Sequence, residues 1–518
     1  MPDEGPYLDI SLRKIAKGAG IGFTGTFIGM ALGYLSRMVI ARLLGSSDYG
    51  LVCLGFAGMS IAATLSLMGL SVGVKRFVSF YKGMDDVRRI KGTLLSAVGM
   101  VLPASIVFMS VFFFGADWIS THFFHEPRLS IVLRIFALGV PFWVLSSVFI
   151  AGTVGFQDLR YRVYVNDIFQ NVAKLVFIVV LVVMGYGVIG ASLGWVLAIV
   201  LMPFLAFYFL EKRVFPVLNT KVKAILVHRE LFFFSIPLIF AGIVGQIMGW
   251  TDTLMLGYFC TASEVGIYNA ALPTARLLGI GAGAFGVIFM PVVSELYARG
   301  EMNAIKSVYA SVTKWILMIV SPIFLLMFLF SDFVMEIMFG SEYIAGGVAL
   351  SILAFGYFIS SLLGLASRLL QAYGRTEIDM ICSFFGAGAN FTLNLLLIPI
   401  YGVEGAAFAT GCSIAAMSIL RLLFIYKVGK LQPFRISHLK PVSAALIAVL
   451  VVYALTRRWI RISLYSSIPI FFVFMIIYFF LLLIMKSFEE EDLVVMRAID
   501  QRLGTRSDWL RKIIGKFL

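Results

Sequence analysis

Nine polar residues stand inside otherwise apolar stretches, and their spacing gathers them onto a few helical faces. Thr26, Gly33 and Arg37 lie at steps of seven and four, nearly whole turns of an α-helix, so they share one polar, glycine-notched stripe. Asp167, Asn171 and Lys174 follow at i, i+4 and i+7. Asn269 and Arg276 are seven apart with Pro273 between them to bend the helix, and Asp252 and Arg134 sit near the ends of their own apolar runs. Cations exceed carboxylates here: Arg37, Arg134, Lys174, Arg276 and Arg421 stand against Asp167 and Asp252. Arginine stays charged and grips oxyanions with a planar fork, so the chemistry these residues suit is the binding of an anion. Each reading has a plain alternative. Arg37 can snorkel to the outer headgroups, and Lys174 can pair internally with Asp167 through Asn171. Arg368 and Arg421, near cytoplasmic helix ends, read as anchors of topology.

The elements that must hold these residues follow from composition. Of 518 residues, 60% are hydrophobic and 14% charged, against about 25% charged in soluble domains, and mean hydropathy is +0.97. A soluble assembly is excluded. Apolar runs recur near 18–40, 49–72, 92–115, 130–152, 168–186, 189–210, 232–258, 265–292, 308–330, 347–370, 379–400, 404–426, 442–457 and 466–485. Most are long enough to cross about 30 Å of hydrocarbon as a helix. The expected fold is therefore an all-α polytopic membrane protein of about fourteen transmembrane helices. The first run has no small-residue cleavage site behind it and is expected to be a retained span.

The net charge of +14 is spread over many short segments instead of one basic domain, so nucleic acid is not the implied partner. With the N-terminus inside, roughly 31 of the Lys and Arg fall on the inner side and roughly 5 outside, which predicts that both termini are cytoplasmic. Every outer loop is short, and none could fold as a soluble catalytic domain. The segment 487–518 carries an acidic run and then apolar and basic residues. It reads either as an amphipathic segment on the inner leaflet or as a helix packed under the bundle.

The chain also resembles itself. Tyr186-Gly187-Val188-Ile189-Gly190-Ala191 matches Tyr401-Gly402-Val403-Glu404-Gly405-Ala406 at an offset of 215, and Asp48-Tyr49-Gly50-Leu51 stands opposite Glu264-Val265-Gly266-Ile267 at 216. Duplication implies two parallel six-helix repeats, because an even span count makes both halves enter the membrane in the same sense. The expected organisation is an N-lobe over 1–210 with spans 1–6, a cytoplasmic linker over 211–230, and a C-lobe over 231–427 with spans 7–12. Two extra C-terminal helices over 428–486 and the tail over 487–518 complete it. Two lobes around a central cavity is the plan of an alternating-access transporter, and a duplicated scaffold with a sealed interface is the plain alternative.

Other chemistry is poorly supported. Cys53, Cys260, Cys382 and Cys412 are scattered without CxxC spacing, and His122 and His125 have only Glu126 beside them, so neither disulfides nor a metal is expected. No GxSxG, HExxH or P-loop pattern occurs, so hydrolysis and direct ATP use are not indicated.

The segments ARLLGSSDYGLVCLG (41–55) and SVGVKRFVSFYKG (71–83) resemble the N-terminal signature of the polysaccharide-biosynthesis flippases of the multidrug/oligosaccharidyl-lipid/polysaccharide exporter superfamily. DTLMLGYFCTASEVGIYNAALP (252–273) and NLLLIPIYGVEGAAFAT (394–410) resemble its second-half signatures. The resemblance implies a transporter, not an enzyme. It would move a polyprenyl-phosphate- or polyprenyl-pyrophosphate-linked oligosaccharide from the inner to the outer leaflet of the cytoplasmic membrane, for surface polysaccharide or glycoprotein synthesis. It implies a cavity between the lobes, lined by spans 1, 2, 7 and 8, which by position takes in Thr26, Arg37, Asp252, Asn269 and Arg276. Arg134 is kept as a further cavity candidate. Membrane lipids are the surrounding partner, a monomer is expected, no cofactor is implied, and Na⁺ or H⁺ coupling stays open. A cation-coupled multidrug exporter of the same superfamily and a membrane glycan polymerase or ligase are the competing readings.

Overall fold

The computed structural model describes residues 5–218, 222–459 and 464–488. Among them every regular element is helical. The first helices are α1 (Gly5–Leu67), α2 (Leu70–Gly83), α3 (Val87–Trp118), α4 (Leu129–Gly155), the single turn α5 (Arg160–Arg162), α6 (Gln170–Leu181), α7 (Gly187–Phe209) and α8 (His228–Phe259). They are followed by α9 (Ala262–Arg276), α10 (Gly279–Ala298), α11 (Met302–Leu329), α12 (Ser331–Phe339), α13 (Gly347–Leu363), α14 (Leu365–Ala372), α15 (Thr376–Gly429), α16 (Leu439–Trp459) and α17 (Leu464–Ile484). All but the first two residues of the predicted tail lie outside the described residues.

Eight helical stretches among the described residues are long and apolar enough to cross a membrane, or nine if α9 and the start of α10, bent by 42° at their junction, form one broken span. Their surface is inverted relative to a soluble protein. Phe114, Val183, Ile400 and Ile476 are largely exposed, while Ser36, Thr93, Ser192 and Asn394 are buried. Lipid tails are as apolar as these side chains, so an exposed apolar surface costs nothing there and polar groups retreat into the protein.

The longest helices turn where a glycine adopts a backbone that other residues avoid. α1 breaks at Gly45 (φ 76°, ψ 173°) and α15 at Gly402 (φ 53°, ψ −126°). The start of α7 at Gly187 (φ 49°, ψ −132°) nearly repeats the Gly402 conformation 215 residues earlier. Other left-handed residues recur in the same rhythm: Asp85 and Gly300 at 215, His125 and Gly340 at 215, Gln157 and Gly374 at 217.

The chain forms two compact units, Met1–Ala270 and Ala271–Leu518. In the first, α4 packs against α3, α7 and α1, and α8 runs along α1 and α2. Phe56 gathers an aromatic cluster, stacking on Trp195 at 4.5 Å between centroids and meeting Phe136, Trp143 and Trp250 edge-on. Here too the second half of α1 crosses the start of α9 with the two backbones in contact. A Cβ on Gly50 would collide with the Ala262 carbonyl and lie 2.9 Å from the Gly266 nitrogen; one on Gly266 would collide with the Ser46 carbonyl and lie 3.1 Å from the Gly50 nitrogen. The Ser46 and Ser263 hydroxyls join beside them at 2.7 Å. The contact is reciprocal, each glycine meeting the other's neighbourhood in the same way.

The second unit is built on α11, which packs against α13, α10 and α16. Its core joins Ile316, Phe324, Ala354, Leu369, Ala445 and Phe474. The Tyr478 hydroxyl donates to the Met318 carbonyl at 2.8 Å, fixing α17 to α11.

Substituting Gly50→Ala or Gly266→Ala places a methyl group against backbone that cannot swing aside, and each should destabilise the protein by about 1–3 kcal/mol. Gly83→Ala, with nothing within 4 Å of the added Cβ, should be near neutral. Thermal unfolding of the detergent-solubilised variants checks this, and equal midpoints for all three would refute it.

Candidate functional site

The polar stripe of α1 lies along the segment that runs from α5 through a π-helical stretch, Val163–Phe169, into α6. Gly25, Gly29 and Gly33, at steps of four, allow the approach: Cβ atoms there would meet Val163, the Asp167 backbone at 3.0 Å, and the Asn171 amide oxygen at 3.4 Å. This is close small-residue packing between helices in a membrane. Asn171 ties the seam. Its side-chain nitrogen donates to the Gly29 carbonyl at 3.3 Å and to the Asp167 carbonyl at 2.8 Å, and its own carbonyl accepts from the Ser36 hydroxyl at 3.3 Å. Thr26 is half-buried on the same helix.

Lys174 is 5% exposed. Its ammonium donates to the Asn171 amide oxygen at 3.1 Å and stands 4.8 Å from the centre of the Trp195 ring, the same ring that stacks on Phe56. The expected pairing with Asp167 does not form. The chain of hydrogen bonds from Lys174 through Asn171 ends on the Asp167 backbone carbonyl, and one Asp167 carboxylate oxygen is buried without a partner. The half-buried Arg37 is instead within electrostatic reach of Lys174, and among the described residues neither cation makes an ion pair. Two basic side chains next to an apolar, aromatic wall, with no carboxylate paired to either among the described residues, form a locus whose sign suits an anion.

A second polar knot joins α8 and α9 within the first unit. The buried Asp252 carboxylate accepts from the Tyr268 hydroxyl at 2.6 Å, and Thr253 donates to the Asn269 amide oxygen at 3.2 Å. Asn269 in turn donates to the Val265 carbonyl at 2.9 Å. Sequence reading selected Asp252 and Asn269 but missed Tyr268 and Thr253, each adjacent in sequence to a selected residue. Arg134 is matched to Asp117 at 2.5 Å, and Ser130 bonds the same carboxylate. Sequence reading had left Asp117 in an outer loop.

In the second unit, Arg276 donates to the Tyr357 hydroxyl at 3.0 Å. Arg421, read as an anchor of topology, is largely buried. Its guanidinium pairs with Asp379 at 2.7 Å, both side chains about 15% exposed, and donates to Ser383. Ser367 and Gln371 also donate to Asp379, and Arg368 donates to Gln371, so both arginines read as anchors belong to one network. Asp379 is nearly twelve helical turns' worth of sequence from Arg421, and only the fold back along α15 unites them. Removing Arg421 leaves a poorly hydrated carboxylate behind, so Arg421→Ala should cost about 1–3 kcal/mol, against little for Arg421→Ala in an Asp379→Asn background. A double-mutant cycle read by thermal unfolding checks this, and additive effects would refute it.

Residues 15–297 match the family model described as polysaccharide biosynthesis protein, and residues 237–396 match the MatE model. The chain is 25% identical over 484 residues to the membrane protein MJ1068 of Methanocaldococcus jannaschii, covering 89% of this chain and 90% of the relative. It is 25% identical over 406 residues to the probable low-salt glycan biosynthesis flippase Agl15 of Haloferax volcanii, covering 78% and 82%. Its fold matches that of the lipid II flippase MurJ in an inward closed conformation with a TM-score of 0.71, across 91% of this chain and 99% of MurJ, at 16% identity. With the first model spanning more than half of its length, the chain belongs to the polysaccharide biosynthesis protein family of the multidrug/oligosaccharidyl-lipid/polysaccharide exporter superfamily.

Proposed function

We propose that this membrane protein is a flippase that carries a polyprenyl-phosphate- or polyprenyl-pyrophosphate-linked oligosaccharide from the inner to the outer leaflet of the cytoplasmic membrane. The observation that carries the reading is the Arg37–Lys174 locus: two cations without an ion pair among the described residues, held beside a glycine-lined seam. A phosphate-linked sugar cannot shed its hydration into hydrocarbon, and fixed cations replace the lost interaction. The relative named as a glycan biosynthesis flippase supports the same cargo class. In this scheme Arg37 grips the phosphate and Thr26, Asp252 and Asn269 hydrogen-bond the sugar, and Arg276 is a further candidate cation in its own unit. Arg134 is the weakest of the set, being already matched to Asp117.

The organisation we propose is two parallel repeats, an N-lobe over 1–210 and a C-lobe over 231–427, with fourteen spans and both termini cytoplasmic. The duplication is supported by the shared turn at Gly187 and Gly402, by the recurring left-handed residues, and by the reciprocal crossing of Gly50 and Gly266. One chain then supplies both halves of an alternating-access transporter and acts as a monomer.

The second reading is a cation-coupled exporter of small molecules. The MatE match over 237–396 and the unpartnered carboxylate oxygen of Asp167 favour it.

Purified protein in liposomes should move a fluorescent polyprenyl-pyrophosphate-linked oligosaccharide between leaflets, and the double variant Arg37→Ala with Arg276→Ala should lose at least about tenfold in rate while inserting normally, roughly the effect of one lost charge-assisted contact. Full transport by that variant would remove the cationic site. Gradient-driven efflux of organic cations without lipid transport would establish the exporter instead. Cysteines at Ser47 and Ser437 should react with impermeant reagent from opposite sides, and labelling from one side would overturn the topology.

A further inference from the structure

The helix α2 lies outside the apolar spans and has two distinct faces. Leu70, Gly73, Val74, Phe77, Val78 and Tyr81 are buried. Gly73 fits against Leu231 and Ser235 of α8, Ser79 donates to the Gly155 carbonyl at 2.6 Å, and Lys82 donates to the Phe156 carbonyl at 3.0 Å, so the helix is fastened across the end of α4. The opposite face is an exposed stripe at steps of four, Val72, Arg76, Phe80 and Met84, with Lys75 beside it. Phe80 and Met84 are 57% and 58% exposed. Exposed apolar side chains interleaved with cations mark a helix lying in the boundary between headgroups and acyl chains.

The charges on this face are unbalanced. Arg162, on α5, lies within electrostatic reach of Lys75, and burial first and Arg162 second hold the Lys75 amine below its ordinary range. Arg76 lies over the Phe77 and Phe234 rings, at 5.2 and 4.3 Å. Among the described residues Lys75, Arg76 and Arg162 make no ion pair, and Arg162 lies within electrostatic reach of the Asp167 carboxylate. The nearby Asp158 is already taken: Arg160 binds both of its oxygens, at 3.0 and 2.6 Å, and holds its carboxyl below the usual carboxylate range. Two cations held close together with apolar side chains alongside are complementary to a phosphate that carries acyl chains.

We infer that α2 and Arg162 form a binding site for an anionic phospholipid of the surrounding leaflet, with Lys75, Arg76 and Arg162 on the headgroup phosphate and Val72, Phe80 and Met84 against its acyl chains. The proposal does not depend on the cargo assigned above. It fixes the depth of the α2 end of the bundle in the membrane.

The test uses the full-length protein in detergent, with phosphatidylglycerol as the probe and phosphatidylcholine as the zwitterionic control, counted by native mass spectrometry. Wild type should retain one more phosphatidylglycerol than phosphatidylcholine. Each of Lys75→Gln, Arg76→Gln and Arg162→Gln should weaken that lipid about fivefold, from about 1 kcal/mol per basic residue at a membrane surface. Raising the salt from about 0.1 to 0.5 M should weaken it further. Unchanged thermal unfolding in the glutamine variants separates loss of a site from loss of fold, and Lys306→Gln, elsewhere in the chain, should retain the lipid. Equal retention of both lipids by wild type, or undiminished phosphatidylglycerol in the triple variant, would overturn the inference. So would displacement of the bound lipid by stoichiometric polyprenyl pyrophosphate, which would make the site one for cargo.

Discussion

A charge or an unpaired peptide group inside hydrocarbon has no water to turn to, and that constraint shapes most of what is seen in this protein. It forces the backbone into helices, sends phenylalanine and isoleucine outward, and draws many interior polar side chains to a partner. Where two basic groups lie within electrostatic reach, as Arg37 and Lys174 do, the departure from this rule is informative, because the fold holds Lys174 with an aromatic ring and one amide instead of a carboxylate. A site arranged in that way is ready for an anion that arrives and leaves.

Glycine supplies the second half of the argument. Without a hydrophobic force between helices in lipid, association depends on close packing, and close packing depends on absent side chains. Gly25, Gly29 and Gly33 let α1 lie against the Asp167–Asn171 turn closely enough for Asn171 to reach a backbone carbonyl on the facing helix. Gly50 and Gly266 do the same between α1 and α9. The polar seam and the glycine pattern are thus one feature: the hydrogen bonds form because the backbones touch.

The interfacial helix α2 obeys the same constraint at its boundary. Lys75 and Arg76 need no carboxylate because headgroups are available there, and the exposed Phe80 and Met84 need no core because acyl chains are. An arginine in the second unit shows the contrast. Arg421, about 15% exposed, is paired with Asp379 and donates to Ser383.

The sequence by itself determined the all-helical, membrane-embedded class, since run length and composition fix which segments can satisfy their backbone in lipid. It also determined the turns of the Tyr-Gly-Val motif, because a glycine with that backbone conformation has no substitute, and it picked out the stripe of α1 and the Asn269 position from helical spacing and Asp252 from its place near the end of an apolar run. It did not determine neighbours. Period 3.6 assigns a residue to a face, not to the helix that face will meet. Asp167 and Lys174 shared a face and were expected to pair, but the approach of α1 at Gly29 draws Asn171 to backbone carbonyls, while Trp195 from α7 closes over the ammonium. The Arg421–Asp379 pair and the crossing of Gly50 with Gly266 join residues 42 and 216 positions apart. Such contacts exist only once the helices have packed, so the tertiary structure alone decided which charges are balanced and which are left to bind.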